Sequence, residues 1–424
     1  FIMANNFNSN TVEDLARIFL EKFEASRVVT KTIDTQLIQG RFTPRTGGEV
    51  AVKRPHDYNE ISTTNGDISA ATKSDIISGK ATATVQNYIT VATEWENIEE
   101  ALESDQLDSI LAPMATRVVT SLETRLAAYM RKNCNLSVGN PDNAVDAWSD
   151  VAYAGALMQS IGVPMDNDIS YLMNPYTTTA LADAQAGLNA GDSLVKTAWE
   201  RAQISSSFGG MRAIGCNTLS TVSDNANLTD RAGIVASNPI VTYVGAKDTM
   251  TQAIAVSGMT TAGVIAAGSI VEITGRYYLN QSTRLPFVDN TGSQVKFRGV
   301  VTEDVTLSGG AGTIIIAGAG ISETNGQYNN ISAPIVTNDV ITVLGTAGYT
   351  AQPNLFFHKQ AFGMATVKLP KLYSTDTVAT TEDGFSIRVS KYADGDANTQ
   401  KIRFDLLPAF VTFNPFFAGL GYGS

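Results

Sequence analysis

The chain has 424 residues and a formal net charge of −11, with charged side chains making up only 17% of it. That length accommodates two or three domains with a substantial core, and the acidic balance argues against a nucleic-acid reader, which presents a basic face. The charged fraction lies below the roughly 25% usual in soluble domains; Thr, Ser, Asn and Gly supply the polarity instead, which suits a subunit covered on several sides.

No apolar run approaches the ~18 residues of a membrane span, and no charged-then-apolar stretch opens the chain, so a soluble product made in the cytoplasm is expected. Met3-Ala4-Asn5 reads as a natural start, leaving Phe1 and Ile2 as additional residues. Cys134 and Cys216 stand far apart with no C-x-x-C partner. They read as buried free thiols in a reducing compartment.

The first element is signalled by "TVED" at 11–14, an N-cap with an acidic residue three positions on. Val12, Leu15, Ala16, Phe19 and Phe23 follow at helical spacing, predicting an amphipathic helix to about Ser26. Such a helix is marginal alone. Its apolar face must dock, and the expected partner of Phe19 and Phe23 is a neighbouring copy.

From 41 to 91 the texture changes to short alternating segments such as "EVAVKR" and "ATATVQNYITVAT", punctuated by Gly47-Gly48 and Asn65-Gly66. This predicts a long β-hairpin ending in a polar, partly basic arm that carries Arg41, Arg45, Lys53, Arg54, Lys73 and Lys80. With hardly any large apolar side chains the arm cannot bury itself, so it is either disordered or laid across a neighbour. His56, which follows a proline in "KRPHDY", reads as a surface or contact histidine; the functional alternative is a pH-sensitive contact between subunits.

The strongest helix spans 108–132, about 37 Å at ~1.5 Å per residue. Leu111, Ala115, Val118, Val119, Leu122, Leu126 and Met130 form its stripe. Pro113 is expected in the first turn. Arg125 falls in the stripe and is expected to snorkel or meet a carboxylate. A second helix covers 146–161 with Trp148, Val151, Ala152 and Leu157, a buried strand "ISYLMNP" covers 169–175, and helices follow at 177–186 and 193–203 before the turn "SSSFGGMRAIGC". From 222 to 346 only strand-like runs occur: "IVTYVG", "TQAIAVSG", "SIVEITG", "QVKFRGVV", "GTIIIAGAG" and "DVITVLG". Short strands at that spacing predict a small all-β barrel or sandwich inserted into the chain. Three or four strands close the sequence, with "ADGDANTQ" as the turn between two of them.

Chemistry is sparse. His56 and His358 are the only imidazoles, and neither lies in a nucleophile motif; G-x-S-x-G, H-E-x-x-H, a Cys/His cluster and a phosphate loop are all missing. The glycines of "GGAGTIIIAGAG" bound a strand, with no helix pattern after them as a nucleotide loop requires. Glu94, Glu96, Glu99 and Glu100 around Trp95 read as a solvated acidic face at a helix start rather than a glycosidase pair. "DGDAN" at 394–398 reads as a hairpin turn rather than a calcium loop. No catalytic residue, metal ligand or cofactor is assigned.

The ordered set of elements resembles one family, the major capsid (coat) proteins of tailed double-stranded-DNA bacteriophages with the Hong Kong 97-type fold. The β insertion narrows this to short-tailed phages of enteric bacteria. "DAWSDVA" at 146–152 looks like that lineage's opening of the first axial-domain helix, and "SYLMNP" at 170–175 is similar to its Ser-Tyr-x-x-Asn-Pro strand end. "NLFFHKQAF" at 354–362 looks like the rejoining of the parent fold after the insertion, and "KIRFDLLPAFVTFNP" at 401–415 like the closing strands. His358 and Lys359 then belong to a strand, with Phe356, Phe357 and Phe362 packed against neighbours.

The resemblance implies an α+β fold: an N-terminal arm and helix (1–40), an extended loop (41–91), a peripheral domain with a spine helix (92–140), an axial domain (141–222), an inserted β-barrel domain (223–346) and returning strands (347–424). It implies a non-enzymatic subunit that forms hexamers and pentamers of itself, in an icosahedral shell of T=7 type. The further partners would be a scaffolding protein, a portal protein at one vertex and non-specifically packaged double-stranded DNA. No membrane is involved; the place is the virion, assembled in the host bacterial cytoplasm. The turn "GAKD", with Lys247 and Asp248, is shorter than the loop with which relatives reach across a two-fold axis. A crosslink through Lys53 or Lys80 is not expected. The alternatives are an encapsulin-like compartment shell and, from another class, a surface carbohydrate-binding or carbohydrate-cleaving β protein.

Overall fold

A computed structural model describes residues 7–42, 47–96, 107–166, 168–186, 200–201, 204–373, 376–381, 383–394, 396 and 398–424. Two compact units result: Phe1–Val52, Thr82–Ala127 and Phe362–Val411 form one, and Lys53–Ala81, Ala128–Ala361 and Thr412–Ser424 the other.

In the first unit the amphipathic pattern yields helix α1, Phe7–Ser26. Ala16, Phe19 and Phe23 recur at three- and four-residue spacing, and all three are buried in their own chain. They are covered by an antiparallel sheet whose strands run in the spatial order Thr377–Thr380, Ser386–Asp394, Thr399–Leu406 and Ile89–Glu96. Phe19 stacks on Phe404 with ring centroids 4.1 Å apart and planes 8° apart, and Phe23 meets Phe385 edge-on at 6.4 Å. The expectation that Phe19 and Phe23 cover a neighbouring copy is therefore corrected: the closing strands of the same chain supply the apolar surface. Asp394 pairs with Thr399, so these two strands form a hairpin, and Asn398 takes a left-handed φ of 51°.

Helix α2, Leu107–Lys132, buries the predicted stripe of Ala115, Val118, Val119, Leu122, Leu126 and Met130. One detail differs from expectation: Pro113 lies inside the helix, beyond its first turn. Arg125 is exposed, as the snorkelling alternative required, and its Nη1 donates to the Asn87 carbonyl at 2.9 Å and the Tyr88 carbonyl at 3.2 Å. The charge buried in the stripe is Glu123, which accepts from the backbone N–H groups of Val28 and Thr30, where the chain leaves α1. Burial pushes the Glu123 carboxyl above the usual carboxylate range, and those hydrogen bonds oppose the rise only in part.

A second sheet of this unit orders Glu49–Lys53, Lys80–Val85, Pro408–Thr412 and Phe362–Thr366. The predicted hairpin thus exists as the first two strands, but Ile89–Glu96 departs to the other sheet. Gln86 N–H still donates to the Pro408 carbonyl, after which the chain leaves this sheet.

The second unit contains a six-stranded sheet in the order Leu136–Val138, Ala418–Gly421, Asn354–His358, Ile169–Met173, Met211–Gly215 and Ser207–Phe208. The central strands are buried at every position, so they read as continuous apolar runs. Helix α3, Trp148–Ile161, begins where the Asp150 carboxylate accepts from the Asp146 and Ala147 N–H groups at 3.3 Å, and it stops at Gly162, whose φ is 105°. Helix α4, Pro175–Ala186, starts on the Asn174 side chain, which accepts from Thr177 N–H at 2.7 Å. The predicted turn at 205–216 is two short strands around Gly209-Gly210, both at positive φ. The helix expected at 193–203 falls almost wholly outside the described residues.

The insertion is a closed antiparallel barrel of six strands in the order Thr251–Ser257, Gly312–Ala317, Lys296–Val301, Ile270–Tyr277, Val340–Val343 and Ala232–Val235. Five coincide with predicted runs. The sixth, Ala232–Val235, replaces "IVTYVG", which contains instead the one-turn helix Tyr243–Ala246 capped by the Thr242 side chain. Polar ties bind the barrel to the six-stranded sheet and its helix. Asn135 Nδ2 donates to the Ala317 carbonyl at 2.8 Å, and the Tyr278 hydroxyl lies 2.9 Å from Asn135 Oδ1 and 2.8 Å from the Arg298 carbonyl. Asn280 Nδ2 donates to the Ser160 carbonyl at 2.8 Å.

Candidate functional site

The candidate functional parts of this protein are the segments able to meet other copies. The His358 region carries one of the two imidazoles of the chain. His358 ends the buried strand Asn354–His358 and is itself 2% exposed. Its Nδ1 accepts from Gln360 N–H at 3.2 Å, which leaves the proton on Nε2, 3.1 Å from Asp166 Oδ1. Both ring nitrogens are satisfied and no nucleophile touches them. Its ring meets Phe417 edge-on with centroids 5.9 Å apart. Phe356, Phe357 and Phe362 are each buried, while Lys359 opens the 3-10 turn Lys359–Ala361 instead of extending the strand.

Among the described residues, no group of three or more His, Cys, Asp or Glu is placed to hold a metal ion. Cys134 and Cys216 are buried and neither is in a disulfide, and burial pushes the Cys134 thiol up to about 12, which removes its nucleophilic form at neutral pH. Glu94 pairs with Lys401 at 3.3 Å on an exposed strand; Glu99 and Glu100, and the side chains of Trp95 and Glu96, lie outside what is described.

The arm is the most unusual segment. Between the paired strands Glu49–Lys53 and Lys80–Val85, residues 54–79 form no helix or strand. Its base nevertheless has partners in its own chain. Asp57 pairs with Arg284, Asp57 N–H donates to the Tyr328 hydroxyl at 3.3 Å, and Asn59 Nδ2 to the Asn325 carbonyl at 2.6 Å. On the returning side, Gln327 Nε2 donates to the Asp75 carbonyl at 2.7 Å, Lys247 Nζ to the Ser78 carbonyl at 3.2 Å, and Lys80 N–H to Asp248 Oδ1 at 3.2 Å. His56 Nδ1 donates to the Ile77 carbonyl at 3.0 Å and ties the two sides of the arm together.

Of the predicted contact residues, Arg41, Lys53 and Lys73 are exposed. Arg54 is half-buried, with Nη1 on the Phe413 carbonyl and Nε 3.3 Å from the Lys80 carbonyl. Lys80 is exposed, but its backbone is engaged as described. Lys247 and Asp248 are occupied by the arm and also pair with each other at 3.4 Å. Arg45 lies outside the described residues. The base of the arm is neither disordered nor left bare for a neighbour, since it binds its own barrel. Arg284, Asn325, Gln327 and Tyr328 were not anticipated, because isolated polar residues in loops carry no pattern that names their partner.

A family model described as P22 coat protein, gene protein 5, matches residues 3–423. The chain belongs to that family. It is 42% identical over 426 residues, covering 100% of both chains, to a protein named "Major capsid protein" from Acyrthosiphon pisum secondary endosymbiont phage 1. Similar solved structures include one from Mycobacterium phage Che8, with TM-score 0.46 and 11% identity over 94% of this chain and 92% of that one. Another is the capsid of Cyanophage P-SCSP1u, with TM-score 0.43 and 10% identity over 93% and 86%. Membership covers the inserted barrel as well as the sheets around it, as the resemblance of the ordered motifs implied.

Proposed function

We propose that this chain is the major structural subunit of a phage capsid, a shell built from many copies of itself. The observation that carries this is the family match from residue 3 to 423, joined to full-length 42% identity with a major capsid protein. The α+β architecture with an inserted closed barrel fits that role, and an encapsulin-like compartment is not favoured.

Our finer reading is an icosahedral shell of hexamers and pentamers, assembled in the bacterial cytoplasm with a scaffolding protein and a portal protein, around double-stranded DNA that it contacts without sequence preference. The net charge of −11 supports the last point, since an acidic container does not cling to its contents. We read the chain as non-enzymatic: His358 and Cys134, its obvious reactive groups, are satisfied or buried. Exposed ion pairs contribute about 0–1 kcal/mol each, so shell stability rests on repetition of weak contacts. Lys53, Lys73 and Arg41 are the exposed cations we assign to contacts between copies, and the inserted barrel we assign to folding and capsomer geometry.

Purified DNA-filled particles from cells producing the phage provide the test. This chain should be their most abundant protein. Its absence from intact particles would overturn the proposal.

A further inference from the structure

The barrel holds two loops against the base of the arm of its own chain. One is the turn 243–248, which meets Ser78 and Lys80; the other is 323–328, which meets Asp57, Asn59 and Asp75. Tyr243 and Tyr328 stack with centroids 3.5 Å apart and thereby join the two loops into one surface. Gly79 is seated so closely on it that a Cβ there would stand 2.7 Å from the Lys247 carbonyl oxygen and 3.2 Å from the Tyr243 hydroxyl. Only a residue without a side chain allows that backbone approach.

The tip of the arm behaves differently. Residues 60–73 make their described hydrogen bonds only among themselves, as in Asp67 N–H to Asn65 Oδ1 at 3.1 Å and Ser69 N–H to Asp67 Oδ1 at 2.9 Å. The tip thus has no described hydrogen bond to the barrel, while its base is fixed on both sides.

We propose that the inserted barrel clasps the base of the arm in cis before assembly, so that the tip is presented to a second copy of this chain in a preset direction. The proposal rests on the shell-subunit reading only for what the tip meets; the clasp itself is a property of the single chain. Presetting removes part of the ordering entropy that a free arm of this length would lose on contact, and so speeds productive encounters.

The test is hydrogen exchange on the unassembled full-length subunit, followed by light scattering of its assembly. Peptides covering 54–59 and 75–81 should be protected relative to 60–73. Asp57→Arg should raise exchange in the base about fivefold and slow initial assembly, and the swap Asp57→Arg with Arg284→Asp should restore both. Gly79→Val, which removes the close seat without touching charge, should release the base in the same way. A base that exchanges as fast as the tip in the parent chain would overturn the clasp without any variant. A protected base with unchanged assembly in Asp57→Arg would overturn the presetting. Failure of the parent chain to assemble under any condition would instead count against the shell reading, and base protection would still decide the clasp.

Discussion

Phe19→Ala tests most sharply whether α1 belongs to its own chain. Phe19 is fully buried, stacked on Phe404 at 4.1 Å and next to Phe23 at 6.2 Å. Truncating a buried Phe costs about 3–5 kcal/mol, from lost transfer energy and the cavity left behind, and the stacked pair accounts for about 0.5–1.5 kcal/mol of it. A helix of 20 residues has little stability of its own, so the loss falls on docking. Amides of 16–26 should then exchange roughly 10²- to 10³-fold faster in the unassembled subunit, limited by global opening. Glu21→Ala, on the exposed side of the same helix, should change exchange by a factor of about two at most. If both variants exchange alike, α1 is not held by the closing strands of its own chain.

The buried carboxylate Asp405 supplies a pH prediction. Burial pushes its carboxyl up, but hydrogen bonds from Thr90, Arg388 and Arg403 outweigh that and hold it below the usual carboxylate range. Its folded pKa is therefore the lower one, so the stabilisation is complete above about pH 4 and is lost as pH falls through the folded value. Asp405→Asn should cost about 3 kcal/mol at neutral pH and flatten the acid limb of denaturation curves followed by exchange in 386–394; an unchanged limb would contradict the assignment. Glu123 runs the other way, since its raised carboxyl favours the folded state below its unfolded pKa and loses that contribution as pH rises through the folded one. Tyr278→Phe removes the hydroxyl between Asn135 and the Arg298 carbonyl and should lower stability by about 1–3 kcal/mol, seen as earlier melting of the barrel; an unshifted melt would show that the tie is not used. Deleting 223–346 should sharply reduce the yield of folded subunit, and normal shells at normal yield would contradict the role we assign to the barrel.

The extent to which the sequence foretold this fold follows from what periodicity can report. The stripe of Ala115, Val118, Val119, Leu122, Leu126 and Met130 was legible because burial repeats with the helix turn. What covers a face was not: the spacing of Phe19 and Phe23 says that they are buried, and nothing local says by what. Glu123 was overlooked because an acidic residue inside a stripe looks like an interruption until its partners, the N–H groups of Val28 and Thr30, are seen some 90 positions away in sequence. "IVTYVG" has every mark of a strand, yet Thr242 caps a helical turn there, a case of local hydrogen bonding overriding β propensity. The arm's composition correctly gave an irregular segment. Its clasp depends on single polar contacts from loops at 243–248 and 323–328, and those have no pattern to read.

The central claim is that many copies of this chain build a shell, and the most direct measurement is to express the chain alone and examine the soluble product by sedimentation and negative-stain electron microscopy. The account predicts closed shells or open spirals tens of nanometres across. A monomer that persists at high concentration, and with scaffolding protein added, would contradict it.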